Sequence, residues 1–309
     1  MSRHVFLAAS AVFVSSTALA GAAEPLVDSA WLAQRLERQD VVVLDIRDAE
    51  DGSSAALFAE GHVPGSIHSD YAKGGWRTTS GRIVGMLPPV AEVEALIGRL
   101  GIDNDDHVVI VGHGKTSSDF GASTRVFWTF DVMGHENVSI LEGGHAGWVA
   151  AGGPVETGAG QTPEPAIFKA DFRPDLVASL DDVKVALDTG IPLVDARPEG
   201  QYTGEVTPPN VGIAGTIPGA YSLPHDVVVL DGNDAIEEPQ LDALLAKLDL
   251  QPSGEKIAFC NTGHWASIGW FLLNKVGNDP SVRMYDGSMY EWAKVEGEQT
   301  EIGADRTVN

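Results

Sequence analysis

The 309-residue chain predicts two tandem α/β domains, each a parallel sheet flanked by helices. Three observations predict this. Short apolar runs alternate with amphipathic stretches, the pattern of strand–helix–strand units with parallel pairing. Four segments of the first half return in the same order in the second, about 150 residues on, which marks a duplication. The length itself corresponds to roughly two domains of ordinary size.

Taken in chain order, VVVLDIR (41–47) is a buried-type strand ending in Asp-x-Arg, and IPLVDAR (191–197) ends the same way. The turn GHVPGSIH (61–68) returns as GTIPGAYS (215–222). VAEVEALIGRL (90–100) and QLDALLAKLDL (240–250) carry apolar residues at helical spacing. HVVIVGHG (107–114) runs from a strand into a glycine turn, as does KIAFCNTG (256–263). VSILEGGHAGW (138–148) corresponds to VRMYDGSMYEW (282–292). These repeats place one domain at 28–151 and a second at 176–305. The linker at 152–175 is rich in Gly, Pro and Thr between Gly152 and Pro165.

The N-terminus has Arg3, an apolar run from Val5 to Val14, and small residues up to Ala20 and Ala23, the pattern of a secretory signal peptide over residues 1–23. The run is short of the roughly 20 residues a membrane span needs. Cleavage after Ala20 or Ala23 removes Arg3 and no acid, so the mature chain is one unit more negative than −24. The expected location is the periplasm. With 44 acidic and 20 basic residues, nucleic acid and anionic membrane are not expected partners.

One cysteine excludes an intramolecular disulfide and any multi-cysteine metal site. The histidines His62, His68, His113, His135, His145, His225 and His264 show no metal-ligand spacing, so no metal is expected. Cys260 ends a strand and opens a tight loop, Asn261-Thr262-Gly263-His264-Trp265, before the apolar stretch IGWFLLNKV. Ligands of open parallel sheets bind at the carboxyl ends of strands. Backbone N–H groups of such a loop stabilise an anion and make a thiolate available. Gly263 lets the loop curl around the sulfur. The competing reading is a buried structural cysteine. The matching loop of the first half, GHGKTSSDFGASTR (112–125), holds no cysteine and cannot do the same chemistry.

The tandem order, the Asp-x-Arg strands, the two Pro-Gly turns, GRIVGMLPP (81–89), the GGHAGW and YDGSMYEW endings and the single second-half cysteine together resemble the two-domain rhodanese family of thiosulfate and 3-mercaptopyruvate sulfurtransferases, of an exported bacterial type. The resemblance spans residues 30 to 305. It implies that Cys260 takes a sulfane sulfur from a small donor as a persulfide and hands it to cyanide or a thiol, with no metal and no organic cofactor. It implies that Asn261, Thr262, Gly263, His264 and Trp265 form the substrate loop, and that Arg197 supplies the cation beside the departing anion. A structural ion pair with Asp195, Glu199 or Glu205 is the alternative for Arg197. Arg47 and Asp45 are the matching first-half pair and are expected to be structural. Arg125 is a candidate to project toward the cleft between the halves. In the loop, which lacks the Arg or Lys frequent in thiosulfate-using members, a His264 imidazolium could supply charge and Trp265 could wall the pocket. Trp270 is expected in the core. Ser267 is expected either to donate to the thiolate or to cap the helix. A phosphatase of this fold would need an arginine closing the loop, and the seven positions after Cys260 hold no Arg or Lys. Disulfide exchange would need a resolving cysteine. The remaining alternative is a carrier module that holds a persulfide, or binds a partner, without turnover.

Overall fold

A computed structural model describes residues 23–49, 51–230, 234–295, 299–303 and 306–308. The leader expected over 1–23 lies outside these residues except for Ala23.

Two five-stranded sheets, parallel throughout, carry the chain. The first is built from β1 (Leu26–Val27), β2 (Val41–Asp45), β3 (Ile67–His68), β6 (His107–Val111) and β7 (Val138–Leu141), in the spatial order β1-β7-β6-β2-β3. Between β3 and β6 the chain makes an antiparallel hairpin, β4 (Thr78–Ser80) with β5 (Ile83–Met86). The second sheet uses β8 (Val177–Ala178), β9 (Leu193–Asp195), β10 (Tyr221–Ser222), β13 (Lys256–Phe259) and β14 (Val282–Tyr285), with β11 (Val229–Leu230) and β12 (Asp234–Ala235) forming a small ribbon aside. Its order, β8-β14-β13-β9-β10, repeats that of the first sheet strand for strand. Every repeated sequence segment thus lands on the equivalent element.

The central strands are continuous apolar runs because both faces of each sheet are covered. Val108–Val111 and Ile257–Phe259 are buried throughout. The helices form where caps and periodicity agree. Val90–Arg99 buries Val93, Leu96 and Ile97. Leu180–Thr189 starts in a reciprocal capping box between Ser179 and Asp182 and stops at Gly190, whose φ is 78°. The linker is not a free tether. Phe168 is buried against Phe130 and His135, and backbone bonds tie Ala166 to Gly98 and Arg173 to Val132.

The halves meet through two equivalent helices. Ser117–Val132 opens in a capping box of Thr116 and Asp119 and is buried from Phe120 onward. It lies against Ala266–Phe271 and the π-turn Leu272–Val276 that follows. Phe127 meets Phe271 edge-on at 5.1 Å, and Phe120 meets it at 5.7 Å. Trp270 lies fully buried in this seam. Each of these helices follows the loop at the end of its sheet's middle strand, so the seam brings the two loops face to face.

Candidate active site

The carboxyl end of β13 delivers Cys260 to the centre of the second sheet's edge, with 1% of its surface exposed. The loop that follows is fixed from below by Ser288. Its Oγ accepts the N–H of Cys260 at 3.1 Å and of Gly263 at 3.3 Å, and donates to the Tyr285 carbonyl at 2.8 Å. Ser288 sits at φ 51°, a left-handed conformation that turns its hydroxyl under the loop. The Cys260 and Asn261 carbonyls accept the N–H groups of Met289 and Tyr290. Among the described residues, the N–H groups of Asn261, Thr262, His264 and Trp265 find no acceptor. This is the donor set that an anionic sulfur needs.

Gly263 permits the curl in two ways. Its φ is 77°, and a Cβ there would collide with Arg125 Nη1 and Asp286 Oδ1. Arg125 comes from the first half and is fully buried at this point. It pairs with Asp286 at 2.5 Å, donates to the Gly263 carbonyl at 3.2 Å and donates to the Gly85 carbonyl at 3.2 Å. Burial opposes its charge, but Asp286 outweighs burial and holds the guanidinium pKa above its ordinary value, with Tyr71 and Cys260 contributing. Asp286 also accepts the Leu87 N–H at 2.6 Å. Arg125 therefore does reach the cleft between the halves, as a clamp on the loop.

A second first-half arginine grips the same loop. Arg77 donates to the Thr262 carbonyl at 2.8 Å, to Thr262 Oγ1 at 3.2 Å and to the Gly85 carbonyl at 3.2 Å. Beside it Tyr71 is buried, which raises its pKa against the pull of Arg77 and Arg125 and keeps it a phenol. Tyr71, Arg77, Thr78, Thr79, Gly85 and Thr262 line a cleft of about 750 Å³ that also touches Asp48 and Asn210.

The remaining loop residues serve the seam. Tyr71 Oη bonds His264 Nδ1 at 2.7 Å, and Ser118 meets His264 Nε2 with its hydroxyl at 3.1 Å and its carbonyl at 3.0 Å. Desolvation, then the charge of Arg77, pushes the His264 pKa down to about 3. The imidazolium expected at 264 is thus corrected to a neutral ring wedged between the halves. Trp265 stacks on His225 at 4.3 Å and donates to Ser118 Oγ at 3.3 Å, so it belongs to the seam as well. Asn261 is buried and donates to Gln201 Oε1 at 2.8 Å. Ser267 donates to the His264 carbonyl at 2.7 Å and lies 2.8 Å from Thr124 Oγ1, so it caps the helix turn rather than the thiolate.

Arg197 requires the largest correction. It is fully buried, with Nε and Nη2 spent on both oxygens of Asp195 (2.6 to 3.0 Å) and Nη2 also on the Gly215 carbonyl at 2.8 Å. Arg47 repeats this arrangement in the half without a cysteine. It bonds both oxygens of Asp45 and donates to the Gly61 carbonyl at 2.7 Å. A pair present in both halves, each stapling the Pro-Gly turn to its strand, is a fold element. The charge of Arg197 is cancelled by Asp195 and does not serve the loop.

Sequence reasoning missed Arg77 and Tyr71 altogether. The available signal was the GRIVGMLPP stretch, which forms β5 and supplies the Gly85 carbonyl and the Leu87 N–H.

With this geometry in view, the comparisons with known proteins are consistent. A rhodanese-like domain model matches residues 28–151 and again 176–295. The mouse (Mus musculus) thiosulfate sulfurtransferase is 32% identical over 295 residues, covering 91% of this chain and 96% of that protein. The 3-mercaptopyruvate sulfurtransferase of Escherichia coli K12 is 30% identical over 272 residues, covering 86% of this chain and 94% of the relative. The crystal structure of the 3-mercaptopyruvate sulfurtransferase SseA from Escherichia coli superposes with a TM-score of 0.74 at 28% identity, covering 86% of this chain and 99% of that one.

Proposed function

We propose, for a chain that belongs to the rhodanese family in both of its halves, that it is a sulfurtransferase whose Cys260 carries sulfane sulfur from a small anionic donor to a nucleophilic acceptor. The observation that carries the reading is Cys260 itself. It ends the middle strand and opens a loop in which four backbone N–H groups find no acceptor among the described residues, and it is the only cysteine of the sequence.

The geometry supports a double displacement. The Cys260 thiolate attacks the outer sulfur of thiosulfate, a new S–S bond forms, and the donor's S–S bond breaks with its electron pair leaving on sulfite. With 3-mercaptopyruvate the C–S bond breaks instead, its electron pair leaving on carbon as the enolate of pyruvate, which takes a proton from water. The resulting persulfide anion is held by the loop N–H groups. Cyanide then attacks the terminal sulfur, thiocyanate leaves, and the thiolate returns; a thiol acceptor takes the sulfur in the same way. Ser288 and Arg125 hold the loop in place and touch no reacting atom. Export to the periplasm through the N-terminal leader is part of this proposal, supported by the residue pattern of the leader.

The test is direct. Purified mature protein incubated with thiosulfate, and separately with 3-mercaptopyruvate, gains one sulfur atom by intact mass. Cyanide then discharges it as thiocyanate, and Cys260→Ser gains nothing. A persistent adduct without turnover favours the carrier module. An adduct retained in Cys260→Ser ends the proposal.

A further inference from the structure

An anionic donor entering a chain of net charge −24 needs a local cation. Three basic candidates near the site are already neutralised. Arg197 belongs to Asp195, Arg125 belongs to Asp286, and His264 is an uncharged ring. The second-half side chains that hydrogen-bond the loop directly are uncharged, Gln201 on Asn261 and Ser288 on Cys260 and Gly263, and the Asp286 carboxylate beside Gly263 is paired with Arg125.

Arg77 differs. Among the described residues its guanidinium bonds two carbonyls and one hydroxyl, lies beside Tyr71, and is paired with no carboxylate. It is half-buried in the wall of the 750 Å³ cleft, and Thr262, which it holds, lies two residues from Cys260. The acid on this cleft, Asp48, faces His113 Nε2 at 3.7 Å. The hairpin is shaped for the approach. Gly85 has φ 83°, and a Cβ there would collide with Arg77 Nη2 and come 2.9 Å from the Thr262 carbonyl.

We propose that Arg77 receives the anionic end of the sulfur donor in this cleft, so that one donor site is shared, its thiol from the second half and its cation from the first. This rests on Cys260 being the sulfur-accepting thiol. A guanidinium is suited to the task because its fork meets sulfonate or carboxylate oxygens while two of its nitrogens stay tied to carbonyls.

The test uses the mature chain and five proteins: wild type, Arg77→Gln, Arg77→Lys, Cys260→Ser, and Cys260→Ser with Arg77→Gln. Donor loading and discharge are followed separately by intact mass, with a neutral dithiol as acceptor. Loss of one charge-assisted contact raises the half-saturating thiosulfate concentration of Arg77→Gln about tenfold or more, and Arg77→Lys recovers part of it. Discharge to the neutral dithiol falls by less than about threefold, since no anion is bound in that step. In the Cys260→Ser background, thiosulfate binding measured by calorimetry weakens by a similar factor of about ten on Arg77→Gln. Half-saturation within about twofold of wild type overturns the proposal, as does equal loss of loading and discharge, which marks a purely positional role. Arg77-dependent binding without persulfide formation in wild type would instead retire Cys260 chemistry and leave the anion site standing.

Discussion

Arg197→Met and Arg47→Met should behave as twins. Each removes a fully or almost fully buried guanidinium that bonds both oxygens of its aspartate and the carbonyl of the following Pro-Gly turn. Each leaves a buried carboxylate behind. Asp195 keeps the Thr216 hydroxyl at 2.8 Å and the backbone N–H of residue 197 at 3.0 Å, so compensation is partial. Breaking a buried pair by deleting one partner costs about 3–5 kcal/mol. With a urea slope of about 3 kcal/mol/M, the midpoint falls by roughly 1 to 2 M. The assay is urea unfolding followed by tryptophan fluorescence, paired with thiosulfate kinetics on the folded enzyme at low temperature. The expected result is a comparable loss of stability in both variants with no selective rise in the thiosulfate Michaelis constant. An Arg197→Met protein as stable as wild type, with thiosulfate half-saturation raised about tenfold or more, would refute the assignment and return Arg197 to the donor site.

Two further outcomes follow from the loop. Gly263→Ala places a methyl group on Arg125 and Asp286 at a left-handed φ, so persulfide loading should fall by about a hundredfold or more with Cys260 still titratable by a thiol reagent in the denatured chain. His264 and His145 have pKa values pushed down to about 3 and about 4, chiefly by desolvation, against 6.5 in the unfolded chain. The unfolded chain therefore binds more protons than the native one between these values, and urea stability should decline as pH falls below 6.5. The His264 ring should show no protonation by NMR between pH 5 and 8, and a shift there would contradict the neutral wedge.

The duplicated sheets were legible because strand runs and Pro-Gly turns are local patterns, and the apolar strand–glycine–helix sequence around Cys260 is local too. Arg125 was legible as a residue that could face the cleft, but not as a clamp, because its partners Gly263 and Asp286 lie 138 and 161 positions away. Arg77 offered no pattern at all. Its role comes from the hairpin β4–β5 folding over a loop 185 positions later. The same blindness misassigned Arg197. An Asp-x-Arg motif reads alike whether the arginine turns inward to its own aspartate or outward to a ligand. The bonds to both Asp195 oxygens and to the Gly215 carbonyl show which way it points. His264 was misread because the burial between the halves and the Arg77 charge that keep its ring neutral come from segments far away in sequence.

The clamp on the loop makes the ancestry of this chain a one-way street. The copy without a thiol holds Arg77, Arg125 and the carbonyl of Gly85, and the copy with the thiol holds Asp286, Ser288 and the loop they serve. Duplicating the second copy would give two sulfurs that keep Ser288 but lack both arginines, and duplicating the first would give arginines around no sulfur. Once the halves had specialised in this way, neither remained a spare for the other. A replacement in the silent copy then registers as lost chemistry, although that copy contributes no nucleophile.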